Sequence, residues 1–99
     1  MTTDTSEFSV LQPGNMSIYE AIELQALFSD ALNKYEKVEI NLANVVEIDS
    51  TGLQLMVALK NDALKIRKNI KFTHHSTEVM GFLDLFNMTT FFGDPTQTQ

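Results

Sequence analysis

Cysteine is absent from the 99-residue chain. That removes disulfides, thiolate zinc sites and cysteine nucleophiles, and it leaves no need for an oxidising compartment, which fits the cytosol. Proline and glycine are sparse, at 2 and 4 residues, and there is no low-complexity linker and no internal repeat. No apolar run approaches the ~20 residues needed to cross a bilayer. The polar, acidic Met1–Glu7 stretch lacks the character of a signal peptide. Basic residues are few: 7 Lys and Arg stand against 13 Asp and Glu, for a net charge of −6. An acidic domain repels nucleic-acid phosphates and anionic lipid surfaces, so neither nucleic-acid binding nor direct membrane insertion is expected.

What is present reads as one ordinary globular domain. The chain is 43% hydrophobic and 20% charged, which suits a single core of about 100 residues. An elaborate active site with its own lid would leave too little chain for that core. Residues 1–7 read as a frayed start, 8–94 as the domain and 95–99 as a flexible tail.

Phe8–Gln12 is a short β-type run ending at the Pro13-Gly14 turn signal, with a second extended stretch around Asn15–Ser17. Ser17 and Glu20 fit a capping box. Leu24, Leu27, Phe28, Ala31, Leu32 and Tyr35 then recur at helical spacing, which predicts a helix over Ile18–Asn33. Val38, Ile40 and Leu42 alternate with Glu39 and Asn41, a strand with one buried face, and the chain stays extended near Val45–Ile48. A second helix is predicted over Gly52–Arg67. Its inward stripe is Leu55, Met56, Leu59, Ala63 and Ile66, with Leu53, Val57 and Leu64 on its flank. From Leu53 to Leu59 this helix is apolar nearly all round, so it is either buried on most sides or offers a patch to a partner.

After the turn at Lys68-Asn69, Ile70–His74 reads as a strand and Thr77–Phe86 as a third helix. Ser76 is its cap, Val79, Phe82, Leu83 and Phe86 face inward, and Asn87 fits the left-handed position after it. Phe91-Phe92 closes one end of the core. Strands alternating with helices predict an α/β fold. The expected architecture is a single four- to five-stranded mixed sheet with parallel central strands and helices mainly on one face.

The segment that could carry chemistry is Glu47-Ile48-Asp49-Ser50-Thr51-Gly52-Leu53, which leaves an extended stretch and opens a helix. Functional sites gather at such carboxyl ends of parallel strands. A hydroxyl here stands near helix N–H groups, and a phosphate added to it is partly stabilised by the helix dipole. Local physics equally permits a bland reading: Asp, Ser and Thr are common N-caps, Thr51 with Gln54 fits another capping box, and Gly52 could simply allow a tight turn.

The Asp49-Ser50-Thr51-Gly52-Leu53 element, with Glu47 before it and Gln54-Leu55 after it, resembles the signature of the STAS family, the anti-sigma factor antagonists and their relatives. Val38–Leu42, Met16–Leu24 and Phe82–Met88 resemble that family's central strand, first helix and closing helix. The resemblance covers residues 8–93 and implies a stand-alone, non-enzymatic interaction module without cofactor. It further implies phosphorylation at Ser50, with Thr51 as fallback, by a kinase of the histidine-kinase-like ATPase fold. Phosphorylation would release a kinase or anti-sigma-type partner. The partner-binding residues it implies are Met16, Ser17, Asp49, Ser50, Thr51, Gly52, Leu53, Met56 and Val57. Other members of the family are unmodified subunits of lipid-transport ATPases or chemotaxis-like clusters, and Ile18–Ala21 and Phe91–Pro95 resemble the chemotaxis-associated branch. Homodimerisation is a further route. The antagonists' Gly-Glu-Leu-Asp type turn is replaced here by Asn15-Met16-Ser17-Ile18.

Other candidates fall short. His74 and His75 would point to opposite faces of a strand and could not share a metal, so no metal site is expected; a neutral, partly exposed ring at the strand end fits better. There is no G-x-S-x-G elbow and no P-loop. Met56 reads as core, while Met80 and Met88 could be core or docking surface. Lys60, Lys65, Arg67, Lys68 and Lys71 read as a solvated helix face.

Overall fold

The computed structural model describes residues 8–92; the expected frayed start, the tail and Gly93-Asp94 lie outside the described residues. In chain order the elements are β1 (Phe8–Leu11), α1 (Ala21–Lys34), β2 (Lys37–Asn41), α2 (Ser50–Lys65), β3 (Asn69–Thr73), α3 (Thr77–Leu85) and the short α4 (Thr89–Phe92). The strands lie in the order β1-β2-β3, with both neighbour pairs parallel. The α/β class is as expected, but the sheet has 3 strands among the described residues rather than four or five, and both of its pairings are parallel rather than mixed.

The reason lies in the two extended stretches that were candidate strands. Met16 and Ile48 form one isolated parallel bridge. On either side of it, side chains take the backbone N–H groups that a ladder would need. Asn15 Oδ1 accepts from Val46 N–H (3.3 Å) and Glu47 N–H (3.1 Å), and Asp49 Oδ2 accepts from Ile18 N–H (2.9 Å). Such side-chain bonds compete with sheet pairing, and here they stop it after one bridge.

Sheet register places the Leu11–Ile40–Phe72 row on the face beneath α1 and α2. Ile40, Phe72, Phe28, Met56 and Leu59 are buried there, each contributing about 1.5–3 kcal/mol of apolar burial. The opposite face carries the Val10–Glu39–Lys71 row, and Phe8 and Val10 remain half-exposed on it. Helices therefore lie mainly on one face. Leu27, Ile66 and Phe86, expected inward, are instead about half-exposed. Leu27 sits beside the narrower stripe of Leu24, Phe28, Ala31 and Leu32, Ile66 is the C-cap of α2, and Phe86 lies past α3 with its ring 4.9 Å from Phe82.

Helix ends follow local chemistry. Both α2 and α3 finish in a left-handed residue, Arg67 (φ 59°) and Asn87 (φ 57°). The next N–H reaches back in each case, Lys68 to Ala63 O (2.9 Å) and Met88 to Leu83 O (2.8 Å), which satisfies carbonyls the helix leaves open. Ser76 caps α3 through Val79 N–H (3.1 Å), as its sequence position suggested. Phe92 is buried edge-on against Phe72, with ring centroids 5.1 Å apart.

Candidate functional site at the start of helix α2

Two chain segments distant in sequence are laced together beneath the start of α2. Met16 N–H donates to Glu47 O (2.8 Å), and Asp49 N–H donates to Met16 O (3.3 Å). With the bonds accepted by Asn15 and Asp49 given above, residues 15–18 are bound to 46–49 at nearly every step. Glu20 finishes the segment. Its carboxylate accepts from the Ser17 N–H (2.8 Å) and the Ser17 hydroxyl (2.6 Å). This closes a turn over residues 17–20, so α1 begins at Ala21 rather than Ile18. The expected pair forms, but it caps the turn and not the helix.

Asp49 is the N-cap of α2. Oδ1 accepts from Gly52 N–H (3.1 Å) while Oδ2 holds Ile18 N–H. One carboxylate thus starts the helix and ties it to the Asn15–Ile18 segment. Its pKa is lowered, first by the Ile18 N–H and further by Gly52 and Thr51 N–H, against partial desolvation. Glu20 is lowered too, chiefly by the Ser17 hydroxyl. Both carboxyls are therefore ionised at neutral pH.

Because Asp49 caps, Ser50 does not. It is the first helical residue and is exposed. The Thr51–Gln54 box does not form, since both residues lie inside α2. Gly52 is buried for a steric reason: a Cβ there would stand 2.0 Å from Met16 O and 3.0 Å from Met16 C. The glycine permits a close approach of helix to chain, not a positive-φ turn.

The expected site residues divide sharply. Asp49, Ser50, Thr51 and Val57 reach the surface or are half-buried; Met16, Ser17, Gly52, Leu53 and Met56 are buried and support that surface from behind. Asn15 and Ile18, which the sequence did not single out as site residues, join this region through hydrogen bonds to Val46, Glu47 and Asp49. An Asn two residues after Pro13 was a signal for side-chain-to-backbone bonding, but its partners lie 31 and 32 residues away.

The remaining candidates also sort out. His74 takes a left-handed φ of 52°, which breaks the strand alternation; it is exposed, whereas His75 is buried rather than partly exposed. Among the described residues no three His, Cys, Asp or Glu side chains gather as a metal would require, and no helix is long and apolar enough to cross a membrane. The basic face is not all solvated. Lys68 Nζ donates to Leu32 O (2.6 Å) and Asn33 O (3.2 Å) at the negative end of α1. Lys60 Nζ donates to Phe91 O (2.7 Å) and lies 5.0 Å from that ring's centroid. Met80 is exposed and Met88 packs against the core.

Charge is distributed unevenly. All 7 cations fall within residues 34–37 and 60–71. Apart from Lys60, they sit where α1 and α2 end and where β2 and β3 begin. Parallel strands need helices that run back against them, so those positions share one end of the sheet. The start of α2 lies at the other end, with Glu20, Glu47 and Asp49 and no cation.

A parallel sheet with helices on one face, carrying a serine on an Asp-capped helix start, defines a class: small α/β domains with the architecture of the anti-sigma factor antagonists. One solved structure of that kind, the anti-sigma factor antagonist SpoIIAA in its unphosphorylated form, superposes with a TM-score of 0.71, at 16% identity, over 86% of this chain and 76% of that one. A family described as "Mlab, STAS domain" matches residues 9–93, and the chain belongs to this STAS family. No curated protein sequence matches it.

Proposed function

We propose that the chain is a non-enzymatic, cytoplasmic protein-interaction module. It docks a kinase or anti-sigma-type partner through the start of α2, and phosphorylation of Ser50 switches docking off. One observation carries the reading: Asp49 commits both carboxylate oxygens to Gly52 and Ile18 N–H groups, leaving Ser50 exposed on the first turn. A phosphate there adds nearly two negative charges beside an ionised Asp49, so a docking contact over this turn would have to desolvate both. Thr51 is half-buried, which suits its place as fallback acceptor. Asp49 is a poor general base, since its carboxylate is engaged and its pKa lowered.

Incubation with a cognate kinase of the histidine-kinase-like ATPase fold and ATP, read by mass spectrometry, should place one phosphate on Ser50. Ser50→Asp should lose partner binding that Ser50→Ala keeps. An unmodified Ser50 together with full binding by Ser50→Asp would sink the switch. A second reading is a constitutive subunit of a lipid-transport ATPase or chemotaxis-type complex. Membership of the STAS family is compatible with it, since the family resemblance also covers such unmodified subunits. In that case Ser50→Ala and Ser50→Asp both co-purify with the partner.

A further inference from the structure

A groove of about 660 Å³ runs beside the Ser50 turn, between α3 and residues 46–49. Val46, Phe82 and Leu85 line it as apolar surface, and Glu47, Asp49 and Glu78 line it as carboxylates. Val46 is 60% exposed and Leu85 73%. Gly81 also lines it, from within α3. A glycine inside a helix weakens that helix, so it needs a reason. The fold supplies none: a Cβ at Gly81 would meet nothing within 4 Å. At Gly52, by contrast, the added atom would strike Met16. Space kept open on an exposed helix face, in the wall of an apolar groove, suits a second backbone approaching from outside.

We propose that this groove seats a helix of the partner protein, one with an apolar stripe flanked by Lys or Arg, packed close over Gly81. The inference rests on the reading of this end of the molecule as a docking face and names the chemistry of what docks. Charge argues for the basic flanks. The charged residues lining the groove are all carboxylates, and every cation of the chain lies within residues 34–37 and 60–71. Backbone bonding argues for a helix over an added strand. The N–H groups of Val46 and Glu47 are held by Asn15, and Glu47 O is held by Met16. Strand addition needs such groups open, whereas a helix docks through side chains.

The test uses the full chain and a fluorescein-labelled designed amphipathic helix of Leu and Lys, with a Leu/Glu counterpart. Gly81→Leu fills the groove without changing charge. It should fold with a Tm at or above that of the wild type, because Leu favours helix where Gly does not. Fluorescence anisotropy should show the Leu/Lys helix binding the wild type and losing about tenfold or more in affinity on Gly81→Leu. The Leu/Glu helix should not bind. Amide shift changes should centre on residues 46–49 and 77–85. Equal binding by Gly81→Leu, or shift changes spread over the acidic surface at large, would overturn the proposal. So would a wild-type dimer that Gly81→Leu dissociates, which would make the occupant a second copy. The kinase assay on Ser50 is independent: a failed switch with intact groove binding removes only the switch, and the reverse result removes only the groove.

Discussion

Gly52→Ala should be among the most damaging single-methyl changes this chain can suffer. The added carbon would stand 2.0 Å from Met16 O and 3.1 Å from Met16 Cβ. Two of the three nearest atoms are backbone, so no rotamer change relieves the contact. Either α2 must lift or the Met16 chain must retreat. Overpacking of this kind costs about 1–3 kcal/mol. The retreat also strains the Met16–Glu47, Asp49–Met16 and Ile18–Asp49 bonds, worth about 1 kcal/mol net each. Losing two of them brings the total to about 3–5 kcal/mol, against about 5–15 kcal/mol for a whole domain. Urea denaturation followed by circular dichroism should show the midpoint falling at nearly unchanged slope. Thermal melting should drop by more than about 12 °C, at roughly 4–8 °C per kcal/mol for a domain of this size. Gly81→Ala is the control, because its methyl enters open space and should stabilise by about 0.5–1 kcal/mol. A Gly52→Ala protein that loses less than about 1 kcal/mol, with the Met16 and Asp49 amide signals unmoved, would refute the steric argument.

Asp49→Asn keeps an acceptor for Gly52 but cannot satisfy both N–H groups as a carboxylate does, and should cost about 1 kcal/mol at neutral pH. Because the native pKa of Asp49 is lowered, its contribution is complete above the ordinary carboxyl value of 3.8 and is lost as pH falls through the native value. Stability curves of wild type and Asp49→Asn should therefore converge on acidification; parallel curves down to the lowest pH would contradict the assignment. Arg67→Gly should stabilise by about 0.5–1 kcal/mol, since the left-handed φ of 59° strains any residue with a Cβ. A lower melting temperature for Arg67→Gly would show that Arg67 makes a contribution the cap geometry does not explain.

Periodicity and capping chemistry revealed most of the architecture. Val38, Ile40 and Leu42 announced the central strand because one buried face imposes alternation, and Ser76 and Asn87 marked the limits of α3 because helix ends need particular side chains. What stayed hidden depended on partners far along the chain. Asn15 reads locally as turn chemistry, yet its oxygen holds Val46 and Glu47 and so limits the sheet. Ser17 and Glu20 looked like a helix start because the pattern cannot say whether the helix continues from the turn it closes. Gly52 looked like a flexible turn because its true constraint, Met16 O, is 36 residues away in sequence. At the candidate site, the Asp-Ser-Thr-Gly-Leu run coincides with the start of α2. Only the three-dimensional arrangement separated Ser50, which is presented, from Met16, Leu53 and Met56, which hold it up.

The separation of charge along the sheet makes the domain an electrical lever as well as a scaffold. With cations gathered where β2 and β3 begin and carboxylates around the start of α2, a basic partner's field exerts a torque that turns the acidic end toward it before contact. If the proposed acidic face is where a basic partner docks, its selection begins during diffusion, and added salt should slow association far more than it speeds release.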